Sequence, residues 1–285
     1  MTILVTGATG SLGRLAIASL LERGIEASDV AALVRDRAKA EELADLGVDV
    51  RVGDFNDPDS LDAALAGVDR LLFISGSEVG SRVTQHRNVV DAARRADVQL
   101  VAYTSIAHAD DSPLELAVEH RATEAALAES GLPTVLLRNG WYVENYTAQI
   151  PTQLEHGAVL GAAGDGRISA ATRADYATAA ARVVSEDGHA GKIYELGGDT
   201  AFTMAEYAAT LAEMASKPVA YRDLPSDEYR AALVAAGLPE TFAGTLASSD
   251  EGVKAGALFV DSGDLSRLIG HPTTSLREAI ASALG

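Results

Sequence analysis

"VTGATGSLGR", Val5 to Arg14, is the stretch that decides the fold. It follows a short apolar run, Thr2–Thr6, and opens an amphipathic segment, Leu12–Arg23. Its glycines stand at Gly7, Gly10 and Gly13, a G-x-x-G-x-x-G spacing and not the tighter G-x-G-x-x-G. Each has a physical use: Gly7 permits a sharp turn off a strand, Gly10 lets backbone approach a pyrophosphate, and Gly13 lets a helix pack closely on a sheet. The N–H groups that start the helix, Ser11 and Leu12 among them, then face an anion. A glycine-rich turn without a ligand has the same composition, but the strand–loop–helix setting points to a dinucleotide, with Thr6, Ala8 and Thr9 completing the loop.

Outward from this loop the pattern repeats. Val30–Val34, Val48–Val52, Arg70–Ser75, Gln99–Thr104 and Thr134–Arg138 read as further strands. Ala38–Leu46, Ser60–Leu65, Val83–Ala96 and Leu116–Ser130 read as helices between them. Continuously apolar strands imply a sheet covered on both faces, hence an α/β, doubly wound parallel sheet of the Rossmann kind, with its ligand at the carboxyl ends of the strands. Beyond Arg138 the rhythm loosens. Ala174–Glu186 reads as a helix and Lys192–Leu196 as a strand returning to the sheet, whereas 199–285 reads as mostly helical, broken at Pro218, Pro225, Gly237–Pro239 and His271–Pro272. The expected organisation is a dinucleotide-binding domain over 1–150, completed by 174–198. A smaller substrate or lid lobe over the cofactor cleft is expected from 151–173 and 199–285.

Composition narrows the chemistry. Hydrophobic residues are 47% of the 285, enough for a buried core, and cysteine is absent. That removes disulfides, thiolate nucleophiles, iron–sulfur clusters and cysteine-bound zinc, and it fits a reducing cytoplasm. The start "MTILVTGATG" enters a strand at once, so no signal peptide is expected, and no apolar run is long enough for a membrane span. A net charge of −18 disfavours nucleic-acid phosphates. The six histidines, at 86, 108, 120, 156, 189 and 271, show no ligand spacing, so no metal is expected; no G-x-S-x-G elbow supports a serine hydrolase.

The second strand ends "AALVRDR". An acidic side chain there would bind both ribose hydroxyls of NAD; Arg35, with Arg37 close by, instead suits the 2′-phosphate of NADP(H). Asp36, presented by a rotated loop, is a competing reading, as is an arginine that merely ends a strand in water. After the third strand, Asp54 and Phe55 are placed to meet the adenine, and Asp57 to cap the helix beginning at Pro58.

Longer stretches sharpen this: "FISGSEVGSRVTQHRNVVDAARRADV", "YTSIAHADDSPL", "EHRATE", "LRNGWYVENY", "GAAGDGRISAATRADYA" and "LIGHPTTSL". Together they resemble the NmrA-like group of atypical short-chain dehydrogenases over essentially the whole chain. The nearest resemblance is to the type 2 NADPH:quinone oxidoreductases and the triarylmethane-dye reductases. The resemblance implies an NADP-binding Rossmann domain with a small C-terminal lobe, and hydride transfer from NADPH to a quinone without flavin. Gly76 departs from the pattern, since relatives tend to carry a hydroxyl there.

Where a typical short-chain dehydrogenase carries Tyr-x-x-x-Lys, this chain reads "SIAHADDSPLELAVEHRATE", and none of its eight tyrosines has a lysine four positions on. Reducing a ketone yields an alkoxide that must be protonated as hydride arrives. A quinone yields a phenolate whose conjugate acid titrates near ~10, and a triarylmethane cation needs no proton. The loss is also compatible with no activity at all. Four residues are candidate catalytic groups: His120 as ribose ligand or proton donor near neutral pH, Ser105 at the end of strand five, and Tyr142 and Asn145 in "RNGWYVEN". In that loop Gly140 lets backbone approach the nicotinamide, Asn139 can bond its carboxamide, and Trp141 offers a stacking face or a packing contact. Ser75, Gly76 and Ser77 should run along ribose and phosphate. Gln85 and His86 read as structural or as site residues, and Arg173 could reach the cofactor or pair with Asp175. Two other functions stay open: an NADP(H)-binding redox sensor of NmrA type, and a reductase of cationic dyes or conjugated electrophiles.

Overall fold

A computed structural model describes residues 1–78 and 80–285. β1 (Ile3–Val5) leads to α1 (Ser11–Glu22), β2 (Val30–Val34), α2 (Glu41–Asp45), β3 (Asp49–Val52), α3 (Pro58–Leu65), β4 (Arg70–Phe73) and α4 (Arg82–Arg95). β5 (Leu100–Ile106), α5 (Glu115–Ser130), β6 (Thr134–Asn139), α6 (Glu144–Thr147), α7 (Ile150–His156), β7 (Ala158–Gly161), α8 (Arg173–Ser185) and β8 (Ile193–Leu196) follow. The chain ends with α9 (Met204–Ala215), β9 (Ala220–Asp223), α10 (Ser226–Ala235), α11 (Glu240–Lys254), α12 (Asp264–Ile269) and α13 (Leu276–Leu284).

A seven-stranded sheet has the order β3-β2-β1-β4-β5-β6-β8, with parallel pairing from β3 through to β6. The order reverses between β1 and β4, the switch point at which open α/β sheets bind ligands. β1, β2 and β5 are buried at every residue, as two covered faces require. On one face Leu4, Leu71, Phe73, Val101 and Tyr103 pack with Leu61 and Leu65 of α3, Val89 and Val90 of α4 and Leu127 of α5. α1 packs against α8, another pair of the same layered unit. The doubly wound fold read from the sequence is the one observed.

Two compact units divide the chain: 1–109 with 118–139 and 173–194, and 110–117 with 140–172 and 195–285. The division differs from the expected one: 140–150 belong with the second unit, as do 110–117 and 195–198. β6 ends at Asn139, and from Gly140 the backbone bonds within its own unit, Gly140 N–H to Leu196 O at 2.7 Å and Val143 N–H to Ala171 O at 3.0 Å.

Local chemistry sets the smaller differences. Ala38–Leu46 is not one helix, because the Asp36 carboxylate accepts from Ala38 N–H at 3.0 Å and starts a 3₁₀ turn, Arg37–Ala40, ahead of α2. Asp57 caps α3 as expected, accepting from Ser60 N–H at 3.3 Å with Pro58 in the first turn. The segment 199–285 is not wholly helical: β9 pairs in parallel with β7, Ala158–Gly161 against Ala220–Asp223. Three of the four β9 residues are exposed, so no apolar pattern marked it.

Candidate functional site

The loop after β1 is built as its glycines require. Gly7 has φ +59°, a left-handed turn. A Cβ on Gly13 would lie 2.8 Å from Ala8 Cα and closer still to the Gly7 carbonyl oxygen, so α1 begins with no slack against the turn. Gly10 is the N-cap and contributes no side-chain cap. The first amides of α1, at Ser11, Leu12 and Gly13, are therefore left without the usual capping partner, which is the arrangement that receives an anion. Ala8 is buried, and the Thr9 carbonyl accepts from Arg14 Nε at 3.2 Å. Thr6, though in the motif, serves the scaffold with its side chain: Oγ1 accepts from Ile74 N–H at 2.8 Å and donates to Ile74 O at 3.0 Å.

Beside this turn the loops after β2, β3 and β4 come together. Arg35 is exposed and pairs through Nη1 with Glu78 Oε1 at 2.8 Å. Arg37 is not its companion; it donates to Val50 O at 2.9 Å. Asp36 is turned into its own cap. Asp54 accepts from Asn56 N–H at 2.8 Å, and Phe55 sets its ring edge-on to Phe73 and His86 with centroids 5.9 and 6.2 Å away. Thus Phe55 belongs partly to the core, where adenine contact alone had been expected.

Ser75, Gly76 and Ser77 lie on a loop pinned from below. Ser75 N–H donates to Thr104 Oγ1 at 2.9 Å, Gly76 N–H to His86 Nε2 at 2.9 Å, and Gly80 N–H to Glu119 Oε1 at 2.8 Å. Arg82 Nε donates to Gly76 O at 2.8 Å, and its Nη1 stands 3.2 Å from Glu119 Oε2 in a buried ion pair. The bonds fix the tautomer of His86. Because Nε2 accepts from Gly76, Nδ1 carries the proton and donates to Thr123 Oγ1 at 2.9 Å, which donates onward to Glu119 O. Burial above all, with Arg82 and His120 assisting, lowers the His86 pKa to about 3.

His120 faces the same network. Its Nδ1 is 2.8 Å from the Tyr103 hydroxyl, and burial followed by the Arg82 charge lowers its pKa to about 3. The expectation that it donates a proton near neutral pH is corrected: it is neutral there, because water that would stabilise imidazolium is excluded. The Ser105 hydroxyl is also engaged, donating to Glu124 Oε1 at 2.5 Å. Glu124 receives Arg138 on both oxygens, at 3.0 and 2.6 Å, so Ser105 completes a buried ion pair. Asn139 keeps a buried Oδ1 without a hydrogen-bond partner at the carboxyl end of β6. An orphaned acceptor there fits the amide of a nicotinamide. Arg173 opens α8, with Asp175 buried in the same first turn, where the helix dipole favours an acid.

The remaining candidates stand in the second unit. Trp141 and Tyr142 are half-buried and Asn145 exposed. The Trp141 carbonyl accepts from Ala171 N–H at 3.1 Å, and Tyr142 forms a parallel bridge with Ala171, so "RNGWYVEN" is tied to "ISAATR". A second cluster holds the turn after β7. Ala162 N–H donates to Asp250 Oδ2 at 2.7 Å, Ala163 N–H to the Tyr221 hydroxyl at 2.9 Å, and Gly164 N–H to Asp223 Oδ1 at 2.8 Å. Burial raises Asp250 to about 6, with Asp223 and Glu251 adding repulsion and Ala162 and Lys254 opposing it. Sequence reasoning missed this cluster, Glu78, and the web of Arg82, Glu119 and Thr123. The i, i+4 pair Glu119 and Thr123 on α5 was the available signal.

A parallel sheet with a capless glycine turn at its switch point defines a dinucleotide-binding protein. The chain belongs to the NAD(P)H-binding family, whose model matches residues 7–187. Among its relatives, quinone oxidoreductase 2 of Escherichia coli strain K12 is 54% identical over 279 residues, 98% of this chain and 97% of that protein. The NAD(P)H azoreductase of Xenophilus azovorans is 32% identical over 242 residues, 85% and 83% of the two chains. Among solved structures, the E. coli NADPH-dependent quinone oxidoreductase complexed with NADPH superposes with a TM-score of 0.98, at 54% identity and complete coverage of both chains. The Citrobacter triphenylmethane reductase gives 0.95 at 41% identity, covering 100% of this chain and 99% of that one. Among the described residues, no helix is long and apolar enough to cross a membrane.

Proposed function

We propose that this protein is an NADPH-dependent quinone oxidoreductase that works by direct hydride transfer, without flavin, in the cytoplasm. The observation that carries this reading is the state of the buried centre. Tyr-x-x-x-Lys is absent from the sequence, and His120 is held neutral where it stands. The acceptor must therefore be one whose reduced form needs no strong proton donor beside it as hydride arrives.

Ser11, Leu12 and Gly13 offer their amides to the pyrophosphate, and Arg35 its guanidinium to the 2′-phosphate. Asn139 Oδ1 receives the carboxamide, which fixes the face of the ring. Bound NADPH supplies the hydride. Trp141 and Tyr142 give aromatic surface on which a flat acceptor is oriented, and Asn145 a polar contact; proximity and alignment carry most of the rate. Hydride addition to a quinone gives the hydroquinone monoanion, which takes a proton from water because its conjugate acid titrates near ~10.

The test is NADPH oxidation against a panel of benzoquinones, naphthoquinones and simple aliphatic ketones. Turnover with the quinones and none with the ketones is expected. Brisk ketone reduction with quinones ignored overturns the proposal.

A further inference from the structure

Arg35 is not alone in the place where a 2′-phosphate would lie. Its Nη1 is 2.8 Å from Glu78 Oε1, and Gln85 Nε2 donates to the other oxygen, Oε2, at 2.7 Å. Gln85 is only 3% exposed, so its amide is fixed, and it also lies 3.4 Å from Asn56 Oδ1 on the loop after β3. The loops after β2 and β4 are thus joined through one carboxylate, and the buried Gln85, which also reaches the loop after β3, aims that carboxylate at the arginine.

We infer that Glu78 is a second determinant of cofactor choice, acting against Arg35: it repels the 2′-phosphate of NADPH and offers an acceptor to the free 2′-hydroxyl of NADH. The inference rests on reading Arg35 as the phosphate ligand. Many NAD-binding sheets place an acid at the end of their second strand to accept from ribose hydroxyls. Here that position is Arg35, and the acid reaches the same spot from the loop after β4. A phosphate dianion that draws the guanidinium away leaves Glu78 without its cation and close to two like charges. A bare ribose leaves the Arg35–Glu78 pair intact and adds a hydrogen bond to a charged acceptor. Glu78 therefore narrows the preference for NADPH that Arg35 creates.

The experiment measures Kd for NADPH and for NADH by the fluorescence of the reduced nicotinamide, at pH 8 and low salt, in the native protein, Glu78→Gln and Arg35→Ala. Glutamine keeps the shape and still accepts from Gln85, and the site is exposed, so folding is spared. The expected result for Glu78→Gln is a rise of about fivefold in the ratio Kd(NADH)/Kd(NADPH), shrinking as salt screens the phosphate. Arg35→Ala should lower the ratio by about tenfold or more. If Arg35→Ala lowers the ratio while Glu78→Gln leaves it unchanged or lowers it too, Glu78 is no more than a holder of Arg35 and the inference falls alone. If Arg35→Ala leaves the ratio where it was, the phosphate reading falls and takes the inference with it.

Discussion

His86 and His120 in the first unit and Asp250 in the second are all withdrawn from water, yet burial has left them in different states. The histidines are lowered to about 3 and stay neutral through the range in which proteins work. Asp250 is raised to about 6 and changes charge inside that range. In each case the uncharged form is favoured, since a low-dielectric surrounding penalises charge of either sign. The lesson is that the first cluster is a scaffold and the second a group that can answer to pH. The histidine web closes on itself and ends at the backbone of Gly76 and Gly80, whereas Asp250, Tyr221 and Asp223 each take one amide from a single turn.

That contrast can be pressed hardest at the phosphate loop, the least forgiving part of the first unit. Gly13→Val places a branched side chain where even a Cβ is too close to Ala8. NADPH binding should weaken by about a hundredfold or more, given the several kcal/mol that an overpacked, displaced backbone costs. Titration of NADPH fluorescence, with circular dichroism as the folding control, checks it; unchanged affinity would show that the turn has slack.

A middling effect is expected in the web itself. His86→Leu leaves the Gly76 N–H without its acceptor, a loss of about 1–3 kcal/mol for a buried donor. The NADPH Kd should rise about tenfold, and His86→Gln, which restores an acceptor, should recover much of it. The pH dependence has a definite sign. Both histidines have lowered pKa values, so their contribution to stability is whole above the unfolded value near 6.5 and is lost as pH falls toward 3. Each gives a slope of about 1.4 kcal/mol per pH unit. The stability of His86→Gln, measured by urea melts at a series of pH values, should therefore fall less steeply between pH 6.5 and 4 than that of the native protein. Identical slopes would mean that His86 is not held neutral.

The smallest effect is expected at Asp250, with the opposite sign. A raised pKa makes its contribution whole below the unfolded value of 3.8 and lost as pH rises through about 6. Asp250→Asn keeps an acceptor for Ala162 N–H and cannot ionise. It should match the native protein near pH 4 and exceed it by about 1–2 kcal/mol at pH 8, a figure already reduced for partial solvent access. Equal stability at both pH values would place Asp250 outside the titrating range and remove the contrast between the units.

Between sequence and structure, what was legible is what is made locally. Gly7, Gly10 and Gly13 answer to one another across a single turn, and the apolar runs of β1, β2 and β5 record two covered faces; hence loop and sheet could both be read. Arg35 could be placed at the end of its strand, but not its partner, since Glu78 is 43 residues away. His120 read as a proton donor because a histidine's ordinary pKa was assumed, and only its burial beside Arg82 and Tyr103 shows otherwise.

The sequence by itself determined the parallel sheet, the anion-binding turn and the absence of a tyrosine–lysine pair, because each follows from residue type and short spacing. Tertiary structure alone decided the charge states and pairings: Gly76 on His86, Gly80 on Glu119, Ser105 on the Glu124–Arg138 pair, Ala162 on Asp250. The physical reason is common to them. Desolvation and pairing depend on what surrounds a group from every side, and those neighbours come from strands and helices far apart in the chain.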